Sequence, residues 1–276
     1  MAGEQRWASY LAPALRPLYL HAAARVGTAL GVAVDLVEKG DYSALARGEF
    51  DFAFVCGLPY VEIVDGLVSL LEPVVAPVLL GPRYGGEPIY FSDVVVPADG
   101  PARVFADLRG GRWAFNERGS HSGYLVTLER LARMGEDSGF FTEWVDAGFH
   151  EEAIRRVAAG TVDGAAIDSQ VLAVILDREP GLAQRLRVID SLGPSPIQPL
   201  VAGPHVPGEV REQVAAVLLG MGSDAADGAV LRAAHVERFV SVDDGGYDGI
   251  RRMLETVRMA GLWNAPRPPG LAAPVH

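Results

Sequence analysis

Residues 112–124 read RWAFNERGSHSGY and combine a short apolar strand, a tight turn and the start of a helix. The turn carries Gly119, Ser120, Ser122 and Gly123, and the apolar residues that follow are spaced for one face of a helix over 122–134. A strand that runs directly into a helix is the repeating unit of α/β folds, in which helices cover parallel sheets. The stretch therefore predicts an α/β fold.

The same alternation of strands and helices continues on both sides of this stretch. It predicts mostly parallel sheets that are covered by helices. The predicted elements before the stretch are a helix ending near residue 30, a strand over 32–37, a short helix over 41–48 and a strand over 51–55. Those after it are a helix over 150–159, a strand over 162–167 and a helix over 169–176.

Two segments rich in proline and glycine interrupt the alternation. Residues 81–88 read GPRYGGEP and residues 193–196 read GPSP, and both are candidate crossovers between lobes. We therefore predict a discontinuous outer lobe, 1–86 with 196–276, and an inserted middle lobe over 87–195. Ligands of open α/β sheets bind at the carboxyl ends of the strands, which places the predicted ligand cleft between the lobes.

The composition excludes several classes of function. The chain has 276 residues and a net charge of −11, whereas nucleic-acid binding needs a basic patch, so no nucleic-acid partner is predicted. A small anion stays compatible, because anion sites are built from backbone N–H groups and a few side chains. The single cysteine excludes a disulfide within the chain, and the scattered histidines predict neither a metal site nor a cofactor.

Membrane and export signals are also lacking in the sequence. It has no run of about 18 apolar residues, so no transmembrane segment is expected. The first residues show no basic region followed by an apolar core. The location is therefore left open: extracytoplasmic if a leader was removed, and otherwise cytoplasmic.

The turn with Ser120, His121 and Ser122 is the strongest candidate site. The N-terminus of a helix offers unpaired N–H groups and the positive end of the helix dipole, and the two serine hydroxyls add donors. Phosphate or phosphonate suits such a site, because its three oxygens need several converging donors. A plain serine N-cap fits the same pattern and stays an alternative.

Other candidate residues lie where strands give way to helices. Each also has a purely structural interpretation, as a turn residue, a packed ring or an N-cap. These candidates are Tyr10, Tyr60, His150 and Asp168. Motifs of nucleophilic, P-loop or dinucleotide-binding enzymes are missing from the sequence, so no catalytic residue is assigned and the chain is not predicted to be an enzyme.

Several segments, in order, resemble the phosphonate/phosphate-binding proteins of ABC importers. The resemblance covers roughly residues 5–260 and implies a type II periplasmic-binding-protein fold, with two α/β lobes closing on the ligand. It also implies a small oxyanion ligand and an ABC permease as a candidate partner. The segments that carry it include YFSDVVV at 90–96, ADLRGGRWAF at 106–115, GSHSGY at 119–124, GFHEEAI at 148–154 and VDGAAID at 162–168.

The resemblance also implies roles for individual residues. Ser120, His121 and Ser122 match the turn that holds the phosphonate oxygens. Tyr10 and Tyr60 match positions at strand ends of the first lobe. Asp168 and Gln198 match two carboxylate positions that hold a ligand amine, and His150 is a further ligand candidate.

Two departures from the family pattern bear on the ligand. Gln198 is neutral, so an aminoalkyl phosphonate would lose one of two charge partners. His121 stands where the family usually has a small hydroxyl residue. Because histidine ordinarily titrates near neutrality, the sequence suggests an anion affinity that rises below the pKa of His121.

We therefore expect a monomeric solute-binding protein for a phosphonate, phosphate or related oxyanion, acting in ABC-type import. The alternatives are a cytoplasmic enzyme of the same fold that acts on a small carboxylated metabolite, and a ligand-sensing module. Fold alone does not separate these functions.

Overall fold

The computed structural model describes residues 4–38, 42–66 and 71–263. These residues fall into two compact units. The first unit contains the described residues within 4–89 and 196–248, and the second contains 90–195 and 249–263. Residues 264–276, which the sequence assigns to the outer lobe, lie outside the described residues.

Strands and helices alternate along most of the chain, as the periodicity predicts. The strands are β1 (Glu4–Ser9), β2 (Ala33–Glu38), β3 (Phe52–Phe54), β4 (Glu72–Leu79), β5 (Ile89–Pro97), β6 (Arg112–Phe115), β7 (Glu143–Asp146), β8 (Gly164–Asp168), β9 (Leu186–Pro196), β10 (Leu200–Ala202) and β11 (Val236–Ser241). The α-helices are α1 (Arg16–Leu30), α2 (Ser43–Ala46), α3 (Gly57–Gly66), α4 (Val126–Met134), α5 (His150–Ala158), α6 (Ser169–Arg178), α7 (Pro180–Ala183), α8 (Gly208–Gly220), α9 (Gly228–Ala233) and α10 (Asp248–Met259).

The sheet of the first unit has the strand order β11-β4-β10-β3-β1-β2. Strand β1 pairs in parallel with β2 and β3, whereas β10 is antiparallel to both β3 and β4, and β11 is antiparallel to β4. The sheet is therefore mixed, and the prediction of a mostly parallel sheet is wrong here. Two neighbouring strands that follow each other through a crossover helix are parallel. Strand β10 does not follow β3 or β4 in this way, because the chain passes through the second unit before it returns to form β10.

The sheet of the second unit has the order β7-β6-β8-β5-β9 and is also mixed. Strand β6 is parallel to β7 and β8, whereas β5 is antiparallel to β8. Strands β5 and β9, which carry the chain into and out of the unit, lie side by side at one end of the sheet. The carboxyl ends of β6 and β8 lead into the turns that hold the candidate residues.

Aromatic side chains form much of the core beneath these turns. In the second unit the Trp113 ring stacks on Phe141 at 4.8 Å and meets Phe105 edge-on at 5.7 Å. In the first unit the Trp7 ring lies 5.0 Å from that of Phe52. Both tryptophans are fully buried, and rings of this size bury about 150–250 Å² each, so the strand ends are held in place by packing.

Within the described residues the chain crosses between the units at three places, after residues 89, 195 and 248. The first two lie beside the predicted crossovers. The third was not predicted, because the sequence assigned residues 249–263 to the outer lobe. These residues belong to the second unit, where the Trp263 ring lies 6.2 Å from that of Tyr124. An amphipathic pattern shows that a helix needs a partner surface but does not say which one.

No helix within residues 4–38, 42–66 and 71–263 combines the length and the apolar character needed to cross a bilayer.

Candidate ligand-binding site

The turn after β6 is built on Ser120. Its backbone is extended (φ −78°, ψ 132°), and its Oγ accepts a hydrogen bond from the Gly123 amide at 3.0 Å. The chain then forms a π-helical turn, His121–Leu125, in which the Val126 amide donates to the His121 carbonyl before α4 begins. Ser120 is thus an N-cap, as the structural interpretation allowed. A capping hydroxyl accepts only, so its own hydrogen remains to be donated.

Gly123 is required by close packing within the turn. A Cβ atom added at this position would lie 2.0 Å from Oδ1 of Asn116 and 3.3 Å from its backbone nitrogen. Gly119, in the same turn, has nothing within 4 Å of such an atom. Packing therefore excludes a larger residue at Gly123, whereas it does not exclude one at Gly119.

Two serine–imidazole contacts meet at this turn. Oγ of Ser122 lies 2.7 Å from Nε2 of His150, the first residue of α5. Nε2 of His121 lies 2.8 Å from Oγ of Ser195, near the end of β9. The two serine hydroxyls of the turn are 3.4 Å apart. The structure therefore joins four of the predicted residues, Ser120, His121, Ser122 and His150, into one buried cluster.

Both imidazoles of the cluster are neutral at physiological pH. Burial lowers the pKa of His121 and of His150 to about 3, because desolvation disfavours the charged ring. The suggestion that His121 titrates near neutrality is therefore wrong, and no rise in affinity below pH 6.5 is expected from it. A neutral imidazole offers one donor and one acceptor.

Two charged residues, Glu117 and Arg118, come directly before the turn. The Arg118 guanidinium donates to the Tyr124 hydroxyl at 3.1 Å and lies over the Phe115 ring. Burial, together with the charge of Asp146, raises the pKa of Glu117 to about 7. The donors at the turn itself are hydroxyls, imidazole N–H groups and backbone amides, and groups of this kind can hold an anion without forming an ion pair.

The Ser122–His150 pair does not have the geometry of an activated nucleophile. Nδ1 of His150 is buried and has no hydrogen-bond partner among the described residues, whereas a nucleophilic serine needs a base that a third group orients. The pair is suited to holding an anion and not to attacking an electrophile.

Asp168 ends β8 and caps α6. Its Oδ1 accepts hydrogen bonds from the amides of Gln170 at 2.8 Å and Val171 at 3.3 Å, and the residue is 2% exposed. The capping role that the sequence allowed is therefore present. A role in holding a ligand amine stays a prediction.

The three remaining candidates lie in the first unit. The Tyr10 ring stacks on that of Tyr42 at 4.5 Å. The Tyr60 hydroxyl donates to Oδ1 of Asp244 at 2.6 Å. Gln198 is buried between β9 and β10, with 9% of its surface exposed. The ligand roles of Tyr10, Tyr60 and Gln198 stay predictions.

Three residues that contact the predicted site residues were not chosen as candidates from the sequence: Ser195, Tyr90 and Tyr42. Ser195 was seen only as part of a crossover loop, and its partner His121 is 74 positions away. Tyr90 was quoted only within a family segment, and its ring lies 6.2 Å from that of His121. The only feature of the sequence that could have suggested a role for Ser195 is its hydroxyl within the proline-rich crossover 193–196.

Solved structures with the same fold cover almost the whole chain. The binding-protein component of an ABC phosphonate transporter from Pseudomonas aeruginosa superposes with a TM-score of 0.81 at 20% identity, covering 97% of this chain and 90% of that one. PhnD1 from Prochlorococcus marinus, in complex with methylphosphonate, gives 0.77 at 17% identity, covering 92% and 98%. The alkanesulfonate-binding protein SsuA from Xanthomonas axonopodis pv. citri gives 0.67 at 17% identity, covering 95% of each chain. The fold is the two-lobed α/β fold of type II periplasmic binding proteins.

The sequence model of one family, described as the periplasmic substrate-binding protein of phosphonate ABC transporters, matches residues 8–247. The chain belongs to this family, which confirms the resemblance that its motifs indicated. The family is one of transport binding proteins and not of enzymes, so the prediction of a binding protein is also confirmed. Membership implies a ligand and a permease as partners, and it is consistent with a location outside the cytoplasmic membrane.

Proposed function

We propose that this protein binds a small phosphonate without a charged amine, through Ser120, Ser122, His150 and the amides of the π-helical turn. The observation that carries the proposal is the buried cluster of neutral donors at the start of the turn, in which Ser122 lies 2.7 Å from His150. The ligand supplies the negative charge, and the site supplies only dipoles and hydrogen bonds.

The proton inventory of the cluster supports an anionic guest. Ser120 accepts from the Gly123 amide, which leaves its O–H hydrogen for the ligand. When Nε2 of His150 carries the proton, it donates to Ser122, and the Ser122 hydroxyl is then also free to donate outward. Two hydroxyl donors and the turn amides suit a group with three acceptor oxygens.

The chemistry of Gln198 supports a ligand that lacks an amine. Its amide is neutral, so it cannot neutralise an ammonium group as the carboxylate expected there would. The related PhnD1 was solved with methylphosphonate, which carries no amine. We therefore name simple alkylphosphonates as the ligand class.

The first experiment is a thermal-shift and calorimetric titration with methylphosphonate, 2-aminoethylphosphonate, phosphate, sulfate and a dicarboxylate. A ligand at about 100 times its Kd should add about 2.7 kcal/mol of stability and raise Tm by several degrees. We expect methylphosphonate to give the largest shift. A shift with the dicarboxylate alone would overturn the proposal of a phosphonate ligand in favour of a carboxylate ligand.

Variants then place the site. Ser120→Ala with Ser122→Ala removes two hydrogen bonds to a charged group, each of about 1.5–3 kcal/mol, so affinity should fall roughly 100-fold or more. Ser223→Ala is the matched control, because its hydroxyl makes an exposed bond to the Gly220 carbonyl in the first unit. Unchanged affinity in the double variant would exclude the turn as the site.

The protein's setting is proposed as extracytoplasmic and its state as a monomer that docks on an ABC permease. The family to which the chain belongs supports the setting. Light scattering of the ligand-free and the methylphosphonate-loaded protein should give one mass near 29.4 kDa. Recruitment by a permease separates transport from the sensor alternative, in which a regulatory protein would be the partner.

A further inference from the structure

We propose that the imidazole of His121 has a positioning role. It couples the oxyanion turn, which is Ser120 with the π-helical residues 121–125, to the two segments through which the chain enters and leaves the second unit, and the imidazole itself does not contact the ligand. The inference rests on the proposed function, since the oxyanion turn is the part that the ligand occupies. The two segments are called the crossing segments below, and they are residues 88–91 and 195–197.

The first contact is with the outgoing crossing segment. Nε2 of His121 lies 2.8 Å from Oγ of Ser195, and Ser195 is the last residue of the second unit before the chain crosses. His121 is fully buried and Ser195 is 1% exposed. Separating the two polar atoms would leave both without water, which makes the bond costly to break.

The second contact is with the incoming crossing segment. Tyr90 is the first residue of the second unit, and its ring lies 6.2 Å from that of His121 with an interplanar angle of 59°. Tyr90 is 1% exposed. One imidazole therefore touches both crossing segments on the side of the second unit.

The crossing segments are themselves joined one step further along. The Ile197 amide donates to the Pro88 carbonyl at 2.9 Å within the first unit. This backbone hydrogen bond therefore links the two crossing segments to each other on the side of the first unit.

The other end of the link is the oxyanion turn. His121 lies between Ser120 and Ser122, and its carbonyl accepts from the Val126 amide, so its backbone is part of the turn. Close-packed interiors transmit small shifts because they have no free volume to absorb them. Since the pKa of His121 is lowered to about 3 by burial, the link is a neutral hydrogen bond that salt does not screen.

Hydrogen exchange measured residue by residue tests the coupling, with methylphosphonate as the probe. The variant is His121→Ser, and Thr127→Val is the matched control. Thr127, in α4, is also fully buried, and its hydroxyl donates locally, to the Gly123 carbonyl one turn earlier at 3.2 Å. Without ligand, the amides of Phe91, Ser195 and Ile197 should exchange about tenfold faster in His121→Ser, as the loss of one buried hydrogen bond predicts, and should be unchanged in Thr127→Val.

The addition of methylphosphonate gives the decisive comparison. In the wild type it should slow exchange at the turn, residues 121–125, and also at the crossing segments. In His121→Ser it should slow exchange at the turn only, and affinity should fall by about tenfold. Ser195→Ala, which leaves the imidazole in place, should reproduce this pattern, and His121→Gln, whose amide can reach Ser195, should restore the wild-type behaviour.

Failure of the inference and failure of the proposed function look different in this experiment. If the ligand slows exchange at the turn but not at the crossing segments of the wild type, the coupling is wrong and the site stands. The same holds if His121→Ser still transmits the effect. If methylphosphonate slows exchange nowhere in the wild type, the phosphonate assignment falls and takes the coupling with it.

Discussion

The oxyanion turn of the second unit and the two candidate tyrosines of the first unit, Tyr10 and Tyr60, were predicted from the same kind of signal, which is a hydroxyl at the point where a strand gives way to a helix. In the second unit, Ser120 and Ser122 contact neutral partners, the Gly123 amide and the His150 imidazole. In the first unit, the Tyr60 hydroxyl donates to a carboxylate, that of Asp244. A phenol has a single hydrogen to donate, and here a protein group receives it. Whether a hydroxyl can donate a hydrogen bond to a ligand thus depends on whether a neighbouring protein group already accepts its hydrogen.

Stability should respond most strongly to the two neutral imidazoles of the buried cluster, those of His121 and His150. The pKa of His150 is about 3 in the folded protein and ordinarily 6.5, so between these values the unfolded chain binds a proton that the native state does not. The free energy of unfolding therefore falls as the pH drops below about 6.5, by about 1.4 kcal/mol per pH unit. In His150→Gln the slope between pH 4.5 and 6.5 should be less steep by this amount, as measured by urea unfolding.

Glu117 provides a control of opposite sign. Its pKa is raised from 4.5 to about 7, so the native state holds a proton that the unfolded chain lacks between these values. This contribution to stability is complete below pH 4.5 and is lost as the pH rises to about 7. Glu117→Gln should therefore make the acid side of the profile steeper. Equal slopes for the wild type and both variants would contradict the assigned states.

The next prediction tests whether the backbone conformation of the turn, in addition to its hydroxyls, is needed for ligand binding. In Gly123→Ala the new Cβ meets Oδ1 of Asn116 at 2.0 Å, so the free energy of unfolding should fall by about 1–3 kcal/mol and methylphosphonate affinity should fall with it. Gly119→Ala meets nothing within 4 Å and should change neither quantity appreciably. Denaturant unfolding and calorimetry check both. Equal losses in the two variants would contradict the packing argument.

The hydrogen bond of Tyr60 can be removed by deleting a single oxygen atom. Tyr60→Phe removes the hydroxyl that donates to Asp244 at 2.6 Å, and should lower the free energy of unfolding by about 1 kcal/mol, since one part-buried hydrogen bond to a carboxylate is lost. A double-mutant cycle with Asp244→Asn measures the pair directly. An additive cycle would show that the bond contributes nothing.

Affinity measured on the same variant decides the ligand role that the sequence assigns to Tyr60. If Tyr60→Phe loses stability but keeps its affinity for methylphosphonate, Tyr60 has a structural role only. A loss of affinity at unchanged stability would support the ligand role.

The smallest effect concerns Gln198. If its neutrality excludes an amine, Gln198→Glu should raise the affinity for 2-aminoethylphosphonate relative to methylphosphonate by roughly five- to tenfold, through a charge-assisted hydrogen bond. Gln198→Ala is the control and should not change the ratio in this direction. An unchanged ratio in Gln198→Glu, measured by calorimetry in one buffer, would show that residue 198 does not select the ligand.

The sequence predicted the site unevenly, and the reason is physical. Ser120 and Ser122 could be chosen as the leading candidates because a strand, a turn and a helix within a few residues set their geometry locally. His150 was a weaker candidate, since its contact with Ser122 spans 28 positions. The charge of His121 was predicted wrongly, because the pKa of a histidine depends on burial, and no local pattern shows whether a turn residue is buried.

The sequence alone determined the α/β alternation, the passage from strand through turn to helix at Ser120 and the family, because these depend on periodicity and on motifs of a few consecutive residues. Only the tertiary structure decided that the sheets are mixed, that residues 249–263 belong to the second unit and that His121 bonds to Ser195. It also decided that the hydroxyl of Tyr60 is bonded to Asp244, 184 positions away. Such pairings are set by the packing of the whole chain, which brings together residues that no local spacing connects.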